Sequence, residues 1–178
     1  MSSSLFNPVL SMDDLIQSGR HCCAIQKYER ALPFFTRAIG SCPCTRGLQR
    51  RRCTCKNFER GAGQGGSISK EVMHPCYCDV GILFKKCDNP YHILALDLRA
   101  ASHEAMGRLD DAMNDAEWMV ELAPRLPDGY LRLGKVARLQ NNYEYAWGMY
   151  TTGIEINEEF VMGLSPRLLV RCMILGLR

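Results

Sequence analysis

Ten cysteines stand among 178 residues, and seven of them fall between Cys42 and Cys87. Six come as pairs with one residue between: Cys42-Pro43-Cys44, Cys53-Thr54-Cys55 and Cys76-Tyr77-Cys78, with Cys87 beyond. Alternate residues of an extended strand point the same way, so each pair offers two thiolates to one ion. Cys53, Cys55, Cys76 and Cys78 would together make a tetrahedral four-thiolate zinc site. Cys42, Cys44, Cys87, His74 and His92 are spare ligands for a second ion. Zinc knuckles usually leave two residues between cysteines, a turn whose N–H groups support the sulfurs; a one-residue spacer lacks that support. Cys42 and Cys44 also straddle Pro43 and fit equally well at a helix end. Two readings therefore stand: a zinc-ordered segment, or a long loop of reduced, unligated thiols.

The chemistry of thiols depends on compartment. The chain opens Met1-Ser-Ser-Ser-Leu-Phe-Asn-Pro, without the basic and apolar regions of a secretory signal, and holds no unbroken apolar stretch of membrane-spanning length. The expected location is intracellular, with reduced cysteines and no disulfide framework. At 47% apolar, 23% charged and net +3, the composition suits a globular protein and excludes a disordered tail or a strongly basic nucleic-acid module.

What must position the cysteines is a period. Leu96, Ala100, Ala112, Ala116, Met119 and Leu122, closing on Pro124, recur 34 residues later as Tyr130, Gly134, Ala146, Tyr150, Gly153 and Ile156. Each unit reads as two short helices around a turn, at Gly107-Arg108-Leu109-Asp110 and at Asn141-Asn142. A third copy lies upstream in Leu15, Gly19, Cys22, Tyr28, Ala31, Phe35, Ala38 and Pro43. There Ser11-Met-Asp-Asp14 has the form of a capping box, and Pro33 is expected near the start of the second helix. This copy precedes the next by 81 residues, one period plus an insertion of 47. The sequence resembles the tetratricopeptide repeat family, whose helix-turn-helix unit has this length. The fold class expected is all-α: a superhelix of three helical hairpins with a cysteine-rich insertion between repeats 1 and 2. The expected organisation is a tail over 1–11, repeat 1 over 12–44, the insertion over 45–91, repeat 2 over 92–125, repeat 3 over 126–159 and a C-terminal helix over 160–178.

Such arrays bind on a concave face lined by the first helix of each pair. The offsets the family uses give Ile16, Arg20 and Cys23, then Asp97, Ala101 and Glu104, then Leu131, Arg132, Lys135 and Arg138. Arg132, Lys135 and Arg138 share a helix face, and a basic stripe there would favour an acidic peptide or a carboxylate terminus. The resemblance implies no chaperone co-factor role, because the Lys and Asn that grip a peptide carboxylate in some members are replaced. Ile16, Arg20 and Asp128 stand in their places, and only Arg132 would match.

The insertion carries nine Lys or Arg against four Asp or Glu between Thr45 and Asp88. Arg46, Arg50, Arg51, Arg52, Lys56 and Arg60 form a cluster suited to nuclear import or phosphate contact, so the nucleus is favoured over the cytoplasm. Phe58 alone interrupts it, which does not suit base stacking; an alternative function is a zinc-dependent nucleic-acid or chromatin module. Gly61-Ala-Gly-Gln-Gly-Gly-Ser lacks the Gly-Lys-Ser/Thr of a phosphate loop. No catalytic set stands out, His21, His74, His92 and His103 read as surface or packing residues, and an enzyme is not expected.

The stretches Cys53-Thr-Cys-Lys-Asn-Phe, Cys76-Tyr-Cys-Asp-Val-Gly, His92-Ile-Leu-Ala-Leu-Asp-Leu-Arg-Ala-Ala, Asp115-Ala-Glu-Trp and Leu122-Ala-Pro-Arg-Leu-Pro-Asp-Gly-Tyr-Leu-Arg-Leu-Gly-Lys resemble the N-terminal region of a group of fungal F-box proteins. Those proteins begin with three such repeats, interrupt them after the first, and continue to an F-box and leucine-rich repeats. The resemblance covers about residues 12 to 158 and implies a region that recruits partners, chromatin-associated ones included, to a ubiquitin ligase. Only 20 residues follow Glu158, too few for an F-box. Ser165-Pro166 and the apolar run after it read as a short helix, either a cap on the array or the end of a truncated chain.

Overall fold

Ser11 begins the first helix by reciprocal bonding. Its Oγ accepts from the Asp14 N–H at 3.1 Å, and the Asp14 carboxylate accepts from the Ser11 N–H at 3.0 Å. A computed structural model describes residues 10–45, 56–63, 68–73, 87 and 89–161. Among these, α1 (Met12–Ala24) pairs with α2 (Tyr28–Ser41), and two short helices follow in the insertion, α3 (Phe58–Gly63) and α4 (Ile68–Met73). Then come α5 (Pro90–Ala105) with α6 (Leu109–Leu122), and α7 (Pro127–Leu139) with α8 (Tyr143–Val161). The fold is all-α, an array of three tetratricopeptide-type hairpins in which α2 packs on α5 and α6 on α7. No helix among the described residues is long and apolar enough to cross a membrane.

The three hairpin turns share one backbone solution. Gln26, Gly107 and Asn141, at equivalent positions, adopt φ of 58°, 73° and 63°. In each, the next residue's N–H reaches back over five residues, as from Lys27 to Cys22, Arg108 to His103 and Asn142 to Ala137. This left-handed closure satisfies the last carbonyls of the first helix, and only Gly107 adopts it without a Cβ penalty.

Within each hairpin the helices touch at small residues. A Cβ on Gly19 would lie 2.4 Å from the Phe35 ring, and one on Gly134 would lie 2.7 Å from the Tyr150 ring. The equivalent positions of repeat 2 are Ala100 and Ala116, both fully buried. Arg99 of α5 holds Asp115 of α6 in its own hairpin through two bonds, at 2.6 and 2.8 Å, and reaches the first hairpin by donating to Thr36 Oγ1 of α2 at 3.0 Å. Pro33 is deeper in α2 than expected: it is the sixth residue, past the unpaired first turn, so the bond to the Glu29 carbonyl is absent. Its exposed position keeps the ring out of the core.

The insertion does not stay where it leaves the array. Its helices α3 and α4 pack on α8, and Phe58, Ile68 and Val72 join the core formed by Tyr130, Leu133, Tyr145 and Met149. Asn57 caps α3 by accepting from the Arg60 N–H, and Lys56 Nζ donates to the Val72 carbonyl at 2.6 Å. Gly148 allows the approach, since a Cβ there would be 2.9 Å from that of Ala62.

Two stability predictions follow from these contacts. Gly19→Ala should lower stability by about 1–2 kcal/mol through overpacking against a buried ring. Gly40→Ala, with open space around it, should raise stability by about 0.5–1 kcal/mol; equal responses in denaturant melts would contradict this account. Gly148→Leu should expose the amides of α3 and α4 to hydrogen exchange while leaving α1 and α2 protected, and unchanged protection would show that α3 is not held on α8.

Candidate functional site

Two constellations stand out, one across the first helices and one at the base of the insertion. In the first, α7 presents Arg132 and Lys135 to α5. Arg132 Nε donates to Asp97 Oδ1 and its Nη1 to Glu104 Oε1, each at 2.7 Å; Lys135 Nζ reaches Glu104 Oε2 at 2.6 Å. Burial disfavours the Arg132 charge, but its bonds to both carboxylates and their negative charges outweigh it and hold the guanidinium firmly protonated. Four of the expected groove residues are thus brought together, as a charge-balanced network rather than a free basic stripe. Lys135 is its most open member, with 43% of its side chain exposed. Arg138 lies farther along α7 beside Tyr150, a phenol whose pKa burial raises against that nearby cation. Arg20 is exposed on α1, and Ala101 is half-buried on α5. Cys23, also on α1, touches Ser102 of α5 through its sulfur at 3.4 Å.

The second constellation was read from sequence only as spare ligands. Cys42 ends α2, Cys44 lies in the 3₁₀ turn Pro43–Thr45, Cys87 precedes α5, and His92 is in its first turn. One ligand atom from each lies within 4.8 Å of all the others. The sulfurs of Cys42 and Cys87 are 3.8 Å apart, those of Cys44 and Cys42 are 3.1 Å apart, and Cys44 Sγ is 3.2 Å from His92 Nδ1. Cys42, Cys87 and His92 are buried, and the wall around them is apolar, including Ile93, Met119, Leu122 and Ile39. Burial pushes the Cys42 thiol up, but hydrogen bonds from the thiols of Cys44 and Cys87 and from the Asn89 amide outweigh it and hold it lower. This set could hold a metal ion. His92, read from sequence both as a spare ligand and as a surface or packing residue, is buried with its Nδ1 facing Cys44 Sγ.

The quartet first read as metal ligands, Cys53, Cys55, Cys76 and Cys78, lies outside the described residues, as do His74 and Arg50, Arg51 and Arg52 of the basic cluster. Lys56 is described and donates to the Val72 carbonyl. One available signal pointed to the second constellation: its members flank the two points where the 34-residue period breaks and resumes.

No family model matches the chain. Protein DIA2 of Eremothecium gossypii is 36% identical over 144 residues, which cover 81% of this chain and 18% of that protein. Hsp70-Hsp90 organizing protein 3 of Arabidopsis thaliana is 33% identical over 79 residues, 43% of this chain and 14% of that protein. U-box domain-containing protein 70 of Oryza sativa subsp. japonica is 36% identical over 67 residues, 38% of this chain and 8% of that protein. The chain spans less than a fifth of the length of these curated relatives. With the hairpin geometry, the matches make it tetratricopeptide-like.

The ion network makes a prediction of its own. Glu104→Gln strips two cations of a shared, 94%-buried carboxylate and should cost about 2 kcal/mol. Arg108→Gln loses only a 3.7 Å contact between half-exposed partners and should change stability by less than about 0.5 kcal/mol. Comparable losses in urea titrations would mean that the buried network adds nothing.

Proposed function

We propose that this chain is a protein-binding adaptor whose concave face, built from α1, α5 and α7, receives a segment of a partner protein. The observation that carries this reading is the ordered ion network on α5 and α7. Charged side chains fixed in place before binding lose little entropy when a partner arrives, and they select by charge pattern. Arg20 and Lys135 remain exposed enough to meet acidic groups of a peptide. Arg132, by contrast, is already engaged by Asp97 and Glu104. Those two carboxylates occupy the guanidinium that a peptide C-terminus would need. The likeness to Hsp70-Hsp90 organizing proteins supports a binding role for the repeats, while this local chemistry argues for a different ligand.

The finer reading is a recruiting arm of a ubiquitin ligase in the nucleus. The resemblance to the repeat region of fungal F-box proteins supports the ligase, and so does the match to protein DIA2 over most of this chain. The Arg50, Arg51, Arg52 and Lys56 cluster supports the nuclear address.

The test is affinity capture with the full chain and with Arg20→Glu/Lys135→Glu, followed by cross-linking to locate the contact. The charge-reversed chain should lose its principal partner by about tenfold or more, with cross-links from the native chain falling on α1, α5 and α7. Retention of the partner at full strength, or cross-links confined to the outer helices, would defeat the groove reading.

A further inference from the structure

We propose that Cys42, Cys44, Cys87 and His92 bind one zinc ion, which clamps the two ends of the insertion together and sets the register of repeat 2 on repeat 1. The donor set comes first. Three sulfurs and one imidazole nitrogen, mutually within 4.8 Å, match the Cys₃His composition of closed structural zinc sites. With Zn–S bonds of about 2.3 Å, the edge of a tetrahedron of sulfurs is about 3.8 Å, and Cys42 and Cys87 stand 3.8 Å apart. Soft thiolates with one imidazole favour zinc over the oxygen-seeking calcium and magnesium. Asn89 supplies outer support, its amide directed at Cys42 Sγ from 3.7 Å while its side-chain oxygen caps α5 at the Tyr91 N–H.

The backbone around the cluster carries a second, independent observation. At the uninterrupted junction between repeats 2 and 3, the Leu126 N–H donates to the Ala123 carbonyl, and α7 starts at Pro127. At the first junction the equivalent bond, from Thr45 N–H to the Cys42 carbonyl, is also made at 2.9 Å. The chain then departs into the insertion instead of entering a helix. When it returns, α5 begins at Pro90, three residues before the position equivalent to Pro127. The extra residues are Pro90, Tyr91 and His92, so the ligand histidine stands on a part-turn of helix that repeat 3 lacks. Cys87 is held just ahead of it by its N–H bond to the Leu122 carbonyl at the end of α6.

The ion therefore replaces a peptide connection. Loop closure over the 45 residues from Cys42 to Cys87 carries an entropic penalty, and the bound metal offsets it in the folded state alone. On binding, the three cysteine thiols give up their protons to solvent. The three thiolates with Zn²⁺ and a neutral imidazole leave a single net negative charge, met by the Asn89 amide at Cys42 Sγ within the apolar wall of Ile93, Met119 and Leu122.

The test uses the full chain carrying Cys53→Ser, Cys55→Ser, Cys76→Ser and Cys78→Ser, which removes the other thiol pairs, purified under reducing conditions without chelator. Elemental analysis should find about one zinc per chain, and X-ray absorption at the zinc edge should show three sulfurs and one nitrogen. Adding His92→Cys should keep the ion and convert its shell to four sulfurs, a gain that a misfolded variant would not give. Adding Cys87→Ser should reduce zinc to less than about a tenth of an ion per chain. Substoichiometric zinc in the four-serine chain, a shell of different composition, or a shell unaltered by His92→Cys would overturn the proposal. So would a Cys42–Cys87 disulfide found by non-reducing mass spectrometry as the native state.

Discussion

Close approach of helices is the constraint on which the rest of this protein depends. Paired helices can interlock only where one offers a side chain small enough to admit a ring or backbone from the other. Gly19 under Phe35 and Gly134 under Tyr150 meet that condition one way, Ala100 packed with Ala112 another. Once the pairs are that close, their loops must turn within a few residues, which forces the left-handed residues Gln26, Gly107 and Asn141. The same closeness brings α7 near enough to α5 for Arg132 to reach two carboxylates on the neighbouring hairpin. Packing at the small residues thus determines where charge can be displayed.

The groove gains specificity from how that charge is arranged. A cation shared between Asp97 and Glu104 is largely removed from solvent and fixed in direction, whereas Lys135 retains access. A partner would meet a patterned surface and not a uniform field. Such a surface discriminates by where its charges stand, and misplaced like charges on a competing partner are penalised.

The repeats were legible because their information is local and periodic. The spacing of small residues, the capping box at Ser11 and the turn at Gly107 are each decided within one or two helical turns. What escaped was decided over distance. The i, i+3, i+6 spacing of Arg132, Lys135 and Arg138 describes one helix face and says nothing of the acids opposite it on α5. Cys42 and Cys44 are visible as a pair, but their partners depend on where the array resumes, and that depends on the three extra residues at the start of α5. Docking of the insertion on α8 left still less trace. Phe58, Ile68 and Val72 are scattered through polar and glycine-rich sequence, too sparse to mark an amphipathic period.

The docking of α3 and α4 on α8 changes how the array should come apart. In an ordinary repeat array each unit touches only its neighbours, so unfolding can begin at an exposed end and proceed unit by unit. Here a segment that leaves from the first repeat lies on α8, the last helix among the described residues, so the third hairpin is tied to a stretch that follows the first. Fraying of α8 must release the insertion as well, which raises the mean sequence separation of the contacts that form together and makes loss of the ends concerted. Loss of the third hairpin and release of the docked insertion are thereby coupled, a link that a linear array of neighbours lacks.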